Sequence, residues 1–264
     1  MKALLGDYPV TRYFKENAPL KFADVKQAHT VFKLVVRDLE FDVAELAVVT
    51  FLLAKAHGKP LRLLPAVVMS RFQHPFLVTP KNLGPHDLEG KRVGQRSYSV
   101  TTATWIRGML QQEYGVDLAR IQWVTFEEPH VAEFVDPPNV ERAPAGKDIT
   151  QMLLSGELDA AIVGERPTGD RLKPVIPDPD AAAAAWRRKY GAIQVNHMIA
   201  VKNTVTREQS DALYELLLES RNAAGSPEMN PFGIEENRRN LEVAIDCMYR
   251  QDMIPRRYAV DELF

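Results

Sequence analysis

Short apolar runs alternate with helical patterns along almost the whole chain. This rhythm predicts an α/β fold, since strands that alternate with helices form mainly parallel sheets. Four prolines among residues 129–144 predict a loop there. The predicted strands are residues 2–6, 20–25, 41–46, 61–69, 76–79, 91–95, 121–126, 158–163 and 197–201. The predicted helices are residues 29–39, 50–56, 86–89, 101–114, 148–155, 181–190, 207–222 and 234–251.

A new series of alternating strands and helices begins near residue 80, and the chain returns to the first series near residue 195. This arrangement predicts two lobes. The first lobe is discontinuous, residues 1–77 and 196–264, and the second is residues 78–195. A chain of 264 residues is also at the upper edge of what a single hydrophobic core supports. Two α/β lobes joined by two crossings predict a ligand between them, at the carboxyl ends of strands.

The composition narrows the class of partner. Hydrophobic residues make up 45% of the chain, and 33 basic against 35 acidic residues give a net charge of −2. These values exclude disordered, collagen-like and coiled-coil classes. A near-neutral chain has no long-range field to gather polyanions, so we expect a small ligand and no nucleic acid.

The cysteine content and the apolar stretches of the chain indicate in which cellular compartment the protein is expected. The lone Cys247 forms no intramolecular disulfide and no multi-thiolate metal site. The first residues lack the apolar core of a signal peptide, and no stretch approaches the ~20 apolar residues that span a bilayer. We therefore expect a cytoplasmic protein without a membrane partner.

Sequence motifs for common cofactors are absent. No G-x-G-x-x-G follows a predicted strand, and neither Gly58-Lys59 nor Gly146-Lys147 continues into a Walker-type Ser or Thr. There is no G-x-S-x-G motif, and the one Glu-x-x-His segment, residues 127–130, contains a proline and lies in a loop. We expect neither a nucleotide cofactor nor a metal.

A run of hydroxyl residues, 97–102, lies between a predicted strand and a predicted helix. Four of its six residues are Ser or Thr. Such a run can hold a carboxylate or phosphate against the free N–H groups of the helix. An ordinary N-cap, which needs only one Ser or Thr, is the alternative interpretation.

Polar residues also mark the two predicted crossings between the lobes. Arg71 and His74 lie at the first, where they can clamp a carboxylate and move a proton. His197 lies at the second. Alternatively, Arg71 is a surface charge, His74 makes a structural hydrogen bond and His197 is an ordinary strand residue.

Several segments resemble one family in the same order along the chain. Asp7-Tyr8 with Thr11 resembles its Asp-Tyr-x-x-Thr opening, and residues 41–46 resemble its Phe-Asp-Val-x-Glu segment. Residues 72–74 resemble its Phe-Arg-His element, with Gln73 in place of the arginine. Further similar segments are residues 90–94, 110–116, 156–160, 196–198 and 231–238. The chain thus resembles the 4,5-dihydroxyphthalate decarboxylase-like proteins, which have the type 2 periplasmic-binding-protein fold.

The resemblance implies loss of CO₂ from a hydroxylated aromatic acid without a cofactor. His74 and His197 are the candidate proton donors, and the sequence does not choose between them. Asp7 or Glu45 would orient the histidine or accept hydrogen bonds from substrate hydroxyls. The predicted substrate-binding residues are Tyr8, Thr11, Arg71, Arg96, Ser99, Thr101 and Thr102.

Two other functions stay open at this point. A solute receptor would bind a small carboxylate with the same two lobes and release it unchanged. A menaquinone-pathway-type lyase of the same fold would act on a cyclised or enolpyruvyl substrate. For the decarboxylase and for the receptor, the expected partner is a small aromatic or other carboxylic acid. Whether the chain forms a homodimer is left open.

Overall fold

The computed structural model describes residues 1–25 and 27–264, and the chain divides into two compact units. Unit 1 is Met1–Arg71 with Ala192–Phe264, and unit 2 is Phe72–Gly191. The sequence pattern predicts these boundaries at 77/78 and 195/196. Phe72 lies with unit 2 because its ring packs against Trp186, with centroids 6.1 Å apart. Ile193 lies with unit 1, where its N–H donates to Asn240 at 2.9 Å.

Unit 1 is built on one mixed sheet flanked by helices. Among the described residues the sheet has five strands in the order β2-β1-β3-β11-β4, in which β11 runs antiparallel to both its neighbours. The strands are β1 Lys2–Leu4, β2 Lys21–Phe22, β3 Val43–Ala47, β4 Leu61–Ser70 and β11 Val195–Lys202. The helices are α1 Pro9–Asn17, α2 Phe32–Val36, α3 Val48–Ala56, α7 Arg207–Ala223 and α8 Ile234–Tyr249.

Helix α1 is absent from the prediction, and its sequence explains why. Only Val10, Thr11 and Phe14 of its residues are buried, so the apolar stripe is short. Local chemistry starts the helix instead. Pro9 occupies the first turn, and the Thr11 side chain accepts a hydrogen bond from the Tyr8 N–H.

Unit 2 contains a second mixed sheet. In the described part of the chain it has six strands in the order β10-β5-β9-β6-β7-β8, of which β9, β6, β7 and β8 are parallel. The strands are β5 Leu77–Thr79, β6 Arg92–Gln95, β7 Gln122–Thr125, β8 Val140–Arg142, β9 Ala160–Ile162 and β10 Lys173–Pro174. The helices are α4 Thr101–Tyr114, α5 Ile149–Ser155 and α6 Pro179–Tyr190.

The predicted α/β fold class is confirmed, and two local predictions are wrong. The proline-rich segment contains β8, which pairs with β7 and joins the sheet at its edge. An edge strand needs partners on one side only, so nearby prolines are tolerated. The predicted helix at 29–39 is reduced to a 3-10 turn at Ala28–Val31 and the short helix α2. No helix in the described residues has both the length and the apolar character required to cross a membrane.

Candidate functional site

A buried carboxylate forms the centre of a hydrogen-bonded cluster in unit 1. The side chain of Glu45, on β3, has no exposed surface. Its Oε2 accepts the backbone N–H of Gly6 at 2.7 Å, and its Oε1 accepts the Tyr8 hydroxyl at 2.7 Å. The same Oε1 lies 2.5 Å from Nδ1 of His197, whose side chain is 12% exposed. We call Gly6, Tyr8, Glu45 and His197 the Glu45 cluster.

The sheet register brings the cluster together. Ile199 pairs with Glu45 and His197 pairs with Ala47 across the antiparallel β3 and β11. Paired residues and residues two apart share a face of a sheet, so Glu45 and His197 are diagonal neighbours on one face. The ring of Phe32 packs edge-on against the imidazole, with centroids 5.3 Å apart. The imidazole is thus held by a hydrogen bond and by an aromatic contact.

The cluster favours a charged carboxylate next to a proton-carrying imidazole. Burial by itself raises the pKa of Glu45, but hydrogen bonds from His197, Tyr8 and Gly6 outweigh it and leave that pKa below its usual value. Burial, followed by the adjacent Glu45 charge, raises the pKa of Tyr8, so its hydroxyl remains a donor. Because Glu45 accepts a hydrogen bond from Nδ1 of His197, that nitrogen carries a proton. Nε2 is then the atom that can exchange a proton with a ligand.

Gly6 fits the cluster only because it has no side chain. A Cβ at this position would lie 2.8 Å from Cε2 of Tyr8 and 2.9 Å from Oε2 of Glu45. We expect Gly6→Ala to destabilise the protein by about 1–3 kcal/mol, because it forces apart groups that are hydrogen-bonded. Denaturant unfolding measures this. Gly164→Ala is the control, since nothing lies within 4 Å of its added Cβ; equal losses of stability in the two variants would contradict the prediction.

Two other residues of the same segment have different partners. The Asp7 side chain is 88% exposed and forms an ion pair with Lys15, so it does not join the Glu45 cluster. The Thr11 hydroxyl is buried and donates to the Gly6 carbonyl at 2.9 Å. Thr11 therefore holds the loop that carries Gly6 and Tyr8 against β3.

The hydroxyl run of unit 2 lies where β6 leads into α4. Val100 occupies the N-cap position and makes no side-chain cap, so the interpretation of this run as a Ser or Thr N-cap is wrong. Ser99 and Thr101 are buried. In the described residues, neither Thr101 Oγ1 nor Gln95 Nε2 has a hydrogen-bond partner. A helix start with uncapped N–H groups and unpaired donors beside it fits a small anion.

A buried arginine lies on α4 close to this helix start. Arg107 has no exposed surface, and its guanidinium donates to Gln95 Oε1 at 2.8 Å. It also stacks on the ring of Tyr98, 3.6 Å from the centroid. Neither Gln95 nor Arg107 is among the site residues predicted from the sequence. A glutamine at the end of a buried strand and an arginine on the apolar face of a helix are the signals that would have found them.

His74 lies in unit 2, in the 3-10 turn His74–Phe76, and is almost fully buried. Its Nδ1 has no hydrogen-bond partner among the described residues. Burial lowers its pKa to about 4, and the Glu113 charge offsets this only in part. His74 is therefore neutral at pH 7 and poorly suited to donate a proton, whereas the imidazole of His197 makes a hydrogen bond to a carboxylate.

The neutral His74 predicts a loss of stability in acid. The unfolded histidine binds a proton near pH 6.5 and the folded one near pH 4, so between these values the unfolded chain binds more protons and stability rises with pH. The contribution is complete above about pH 6.5 and amounts to about 2.5 kcal/mol between pH 7.5 and 4.5. When the pH falls from 7.5 to 4.5, the free energy of unfolding in urea should fall by about 2.5 kcal/mol less for His74→Gln than for wild type. An exposed control, His57→Gln, should behave like wild type; parallel losses in wild type and His74→Gln would exclude this origin.

The other predicted site residues are Arg71, Arg96 and Thr102. Arg71 ends the first segment of unit 1, and its N–H donates to the Gln194 carbonyl at 3.3 Å. Arg96 forms a 3.7 Å ion pair with Glu127 in unit 2. Thr102 is half-buried in the first turn of α4. The structure therefore brings Tyr8, Glu45 and His197 together and assembles Ser99, Thr101 and Thr102 separately, while the roles of all these residues stay predictions.

The fold is similar to that of solved periplasmic binding proteins. The periplasmic aliphatic sulphonate binding protein SsuA from Escherichia coli is similar with a TM-score of 0.55 and 12% identity, over 100% of this chain and 96% of that chain. The alkanesulfonate-binding protein SsuA from Xanthomonas axonopodis pv. citri, bound to MOPS, is similar with a TM-score of 0.53 and 12% identity, over 99% of this chain and 97% of that chain. These likenesses confirm the predicted fold, while the ligand cleft predicted between the lobes stays a prediction.

Two curated proteins are similar in sequence, and both are named 4,5-dihydroxyphthalate decarboxylase. The one from Comamonas testosteroni is 29% identical over 194 residues, which are 67% of this chain and 59% of the relative. The one from Pseudomonas putida is 29% identical over 174 residues, 60% of this chain and 67% of the relative. The chain thus matches less than two thirds of the length of the Comamonas protein. No family model matches the sequence. The resemblance drawn from the motifs is confirmed.

Proposed function

We propose that this protein is a cofactor-independent decarboxylase of a hydroxylated aromatic carboxylic acid, with 4,5-dihydroxyphthalate as the first substrate to test. The observation that carries the proposal is the hydrogen bond between the buried Glu45 and His197, which supplies a proton donor at a protein-controlled position. The two decarboxylases that resemble the chain support the same chemistry.

The proposed reaction needs one proton and no oxidant. A hydroxyl para to the leaving carboxylate pushes electron density toward the ring carbon that bears it. Nε2–H of the His197 imidazolium gives its proton to that carbon, forming a C–H bond. The bond from the ring to the carboxylate then breaks, its electron pair restores the aromatic ring, and CO₂ leaves. The imidazole regains a proton from solvent, so one proton is consumed for each CO₂ released.

Glu45 would assist by orienting the imidazole before transfer. A carboxylate that accepts a hydrogen bond from the far nitrogen of an imidazole holds the ring in one tautomer and one orientation. Tyr8 and Gly6 fix the carboxylate in turn, through its two oxygens. In this mechanism His197 is the catalytic acid, while Glu45 and Tyr8 are positioning residues.

The α4 start supports binding of an acidic ligand by unit 2. Uncapped helix N–H groups, with the unpaired Thr101 hydroxyl and Gln95 amide nearby, offer donors that suit a carboxylate. This feature also favours a second candidate function, a receptor that binds a small carboxylate without turnover. The likeness to sulfonate-binding proteins supports only the fold of such a receptor.

Incubation of the purified protein with 4,5-dihydroxyphthalate tests the proposal. We expect stoichiometric CO₂ release and a product with one carboxylate fewer, measured with ¹³C-labelled carboxyl groups. Phthalate, which lacks both hydroxyls, is the matched control and should release no CO₂. Saturable binding of the dihydroxy acid without release would favour the receptor instead.

A further inference from the structure

A pocket confined to unit 2 lies between the 3-10 turn that contains His74 and one face of α6. Its volume is about 480 Å³, within the range of about 300–1,000 Å³ typical of small-molecule sites. The turn side is formed by Phe72, Pro75 and Phe76. The helix contributes residues at positions 180, 183, 184 and 187, which share one face because they are three or four apart.

The walls of this pocket are apolar and aromatic. Ala183 and Ala184 present small side chains, which leave room above the helix for a flat ligand. The ring of Phe72 packs against Trp186, with the ring planes at 67°. Trp186 packs in turn against Trp105, with ring centroids 5.8 Å apart. The aromatic wall is therefore supported by the interior of unit 2.

The rim of the pocket carries three charged side chains. Arg166 and Arg187 contribute two positive charges and Asp180 one negative charge. Arg166 donates two hydrogen bonds to Asp180, at 3.1 and 2.9 Å, in an exposed ion pair. A planar guanidinium on an apolar wall is the usual recognition element for a carboxylate on a ring.

We propose that this pocket binds a monocyclic aromatic carboxylate, with the ring against Phe72 and Ala184 and the carboxylate toward Arg187. Every residue that lines it belongs to unit 2, and none belongs to the Glu45 cluster. The proposal does not rest on the proposed decarboxylase activity. It assigns a second ligand site to the chain, suited to an acid of the same size class as the proposed substrate or product.

Titration of the ¹⁵N-labelled full chain with benzoate tests the proposal. For a ligand of about nine heavy atoms we expect a dissociation constant on the order of 0.1–1 mM, with the largest amide shifts at Ala183, Ala184 and Arg187. Benzamide has the same shape without the charge and should bind about tenfold more weakly. Equal affinity for benzoate and benzamide, or no shifts in α6 up to 10 mM, which is about ten times the weakest expected constant, would overturn the proposal.

Matched substitutions on the same helix locate the site. Ala184→Leu fills the pocket and Arg187→Gln removes the charge, and each should weaken benzoate binding about tenfold or more. Ala185→Leu and Arg188→Gln make the same changes at exposed neighbours outside the pocket and should stay within about twofold of wild type. His197→Ala should leave these shifts unchanged, which separates this site from the Glu45 cluster. Equal effects of the paired substitutions would exclude this pocket as the site.

Discussion

His197→Ala is expected to lower the turnover of 4,5-dihydroxyphthalate by about 10²–10⁴-fold, the usual contribution of a general acid. The variant removes the proton donor of the proposed reaction but not the carboxylate that holds it. Because His197 is nearly buried and packs against Phe32, unfolding must be measured alongside turnover. The assay follows CO₂ release under saturating substrate, so that an effect on binding is distinguished from an effect on chemistry.

The controls for His197→Ala are two other histidines. His57→Ala changes an exposed side chain of unit 1 and should retain full turnover. His74→Ala removes a histidine that is neutral at pH 7, so we expect any loss of activity to follow its loss of stability. Turnover in His197→Ala within about threefold of wild type would remove the imidazole from the mechanism, since a general acid contributes far more.

Glu45→Gln is expected to lower turnover by about 10–10³-fold and to destabilise the fold by about 1.5–3 kcal/mol. The cluster presents N–H or O–H donors from Gly6, Tyr8 and His197 to one carboxylate. A glutamine has one oxygen and one NH₂ group, so at least one of these donors loses its acceptor or must itself become an acceptor. If the NH₂ group faces His197, Nδ1 becomes an acceptor and the imidazole keeps its single proton on Nε2 as a weak acid.

Two further variants distinguish loss of the positioning carboxylate from a general disturbance. Glu45→Asp retains a carboxylate and should recover part of the wild-type turnover. Glu16→Gln, an exposed change, should have no effect. Turnover in Glu45→Gln equal to that of wild type, or no recovery in Glu45→Asp, would contradict the positioning role.

The sequence predicts the elements of this fold better than their contacts. Helix α4 is predicted at its observed limits, because a regular apolar pattern ends at Gly115, which has the left-handed φ of 65°. Helix α1 is missed because its start depends on Pro9 and Thr11 more than on an apolar stripe. Strand β8 is missed because prolines lie close to both of its ends, which is tolerable at a sheet edge, and the sequence does not reveal that this strand is an edge strand.

The candidate site is predicted only as separate residues. Glu45 and His197 are both named from motifs, yet they are 152 residues apart, and only the pairing of β11 with β3 brings them together. The sequence gives Asp7 and Glu45 equal weight as carboxylates. They differ because Glu45 lies on a strand that is buried along its whole length, while Asp7 is exposed and paired with Lys15. The choice between His74 and His197 likewise depends on burial and on partners that periodicity does not show.

The position of β11 has a consequence for synthesis on the ribosome. This strand lies between β3 and β4, but it follows the whole of unit 2 along the chain. A nascent chain that ends before residue 195 lacks both the strand that joins the two parts of the unit 1 sheet and the imidazole that Glu45 binds. Unit 2 is contiguous and can fold as soon as it emerges, whereas unit 1 must wait for a long-range pairing. The pairing that completes the unit 1 sheet is therefore also the one that places His197 beside Glu45.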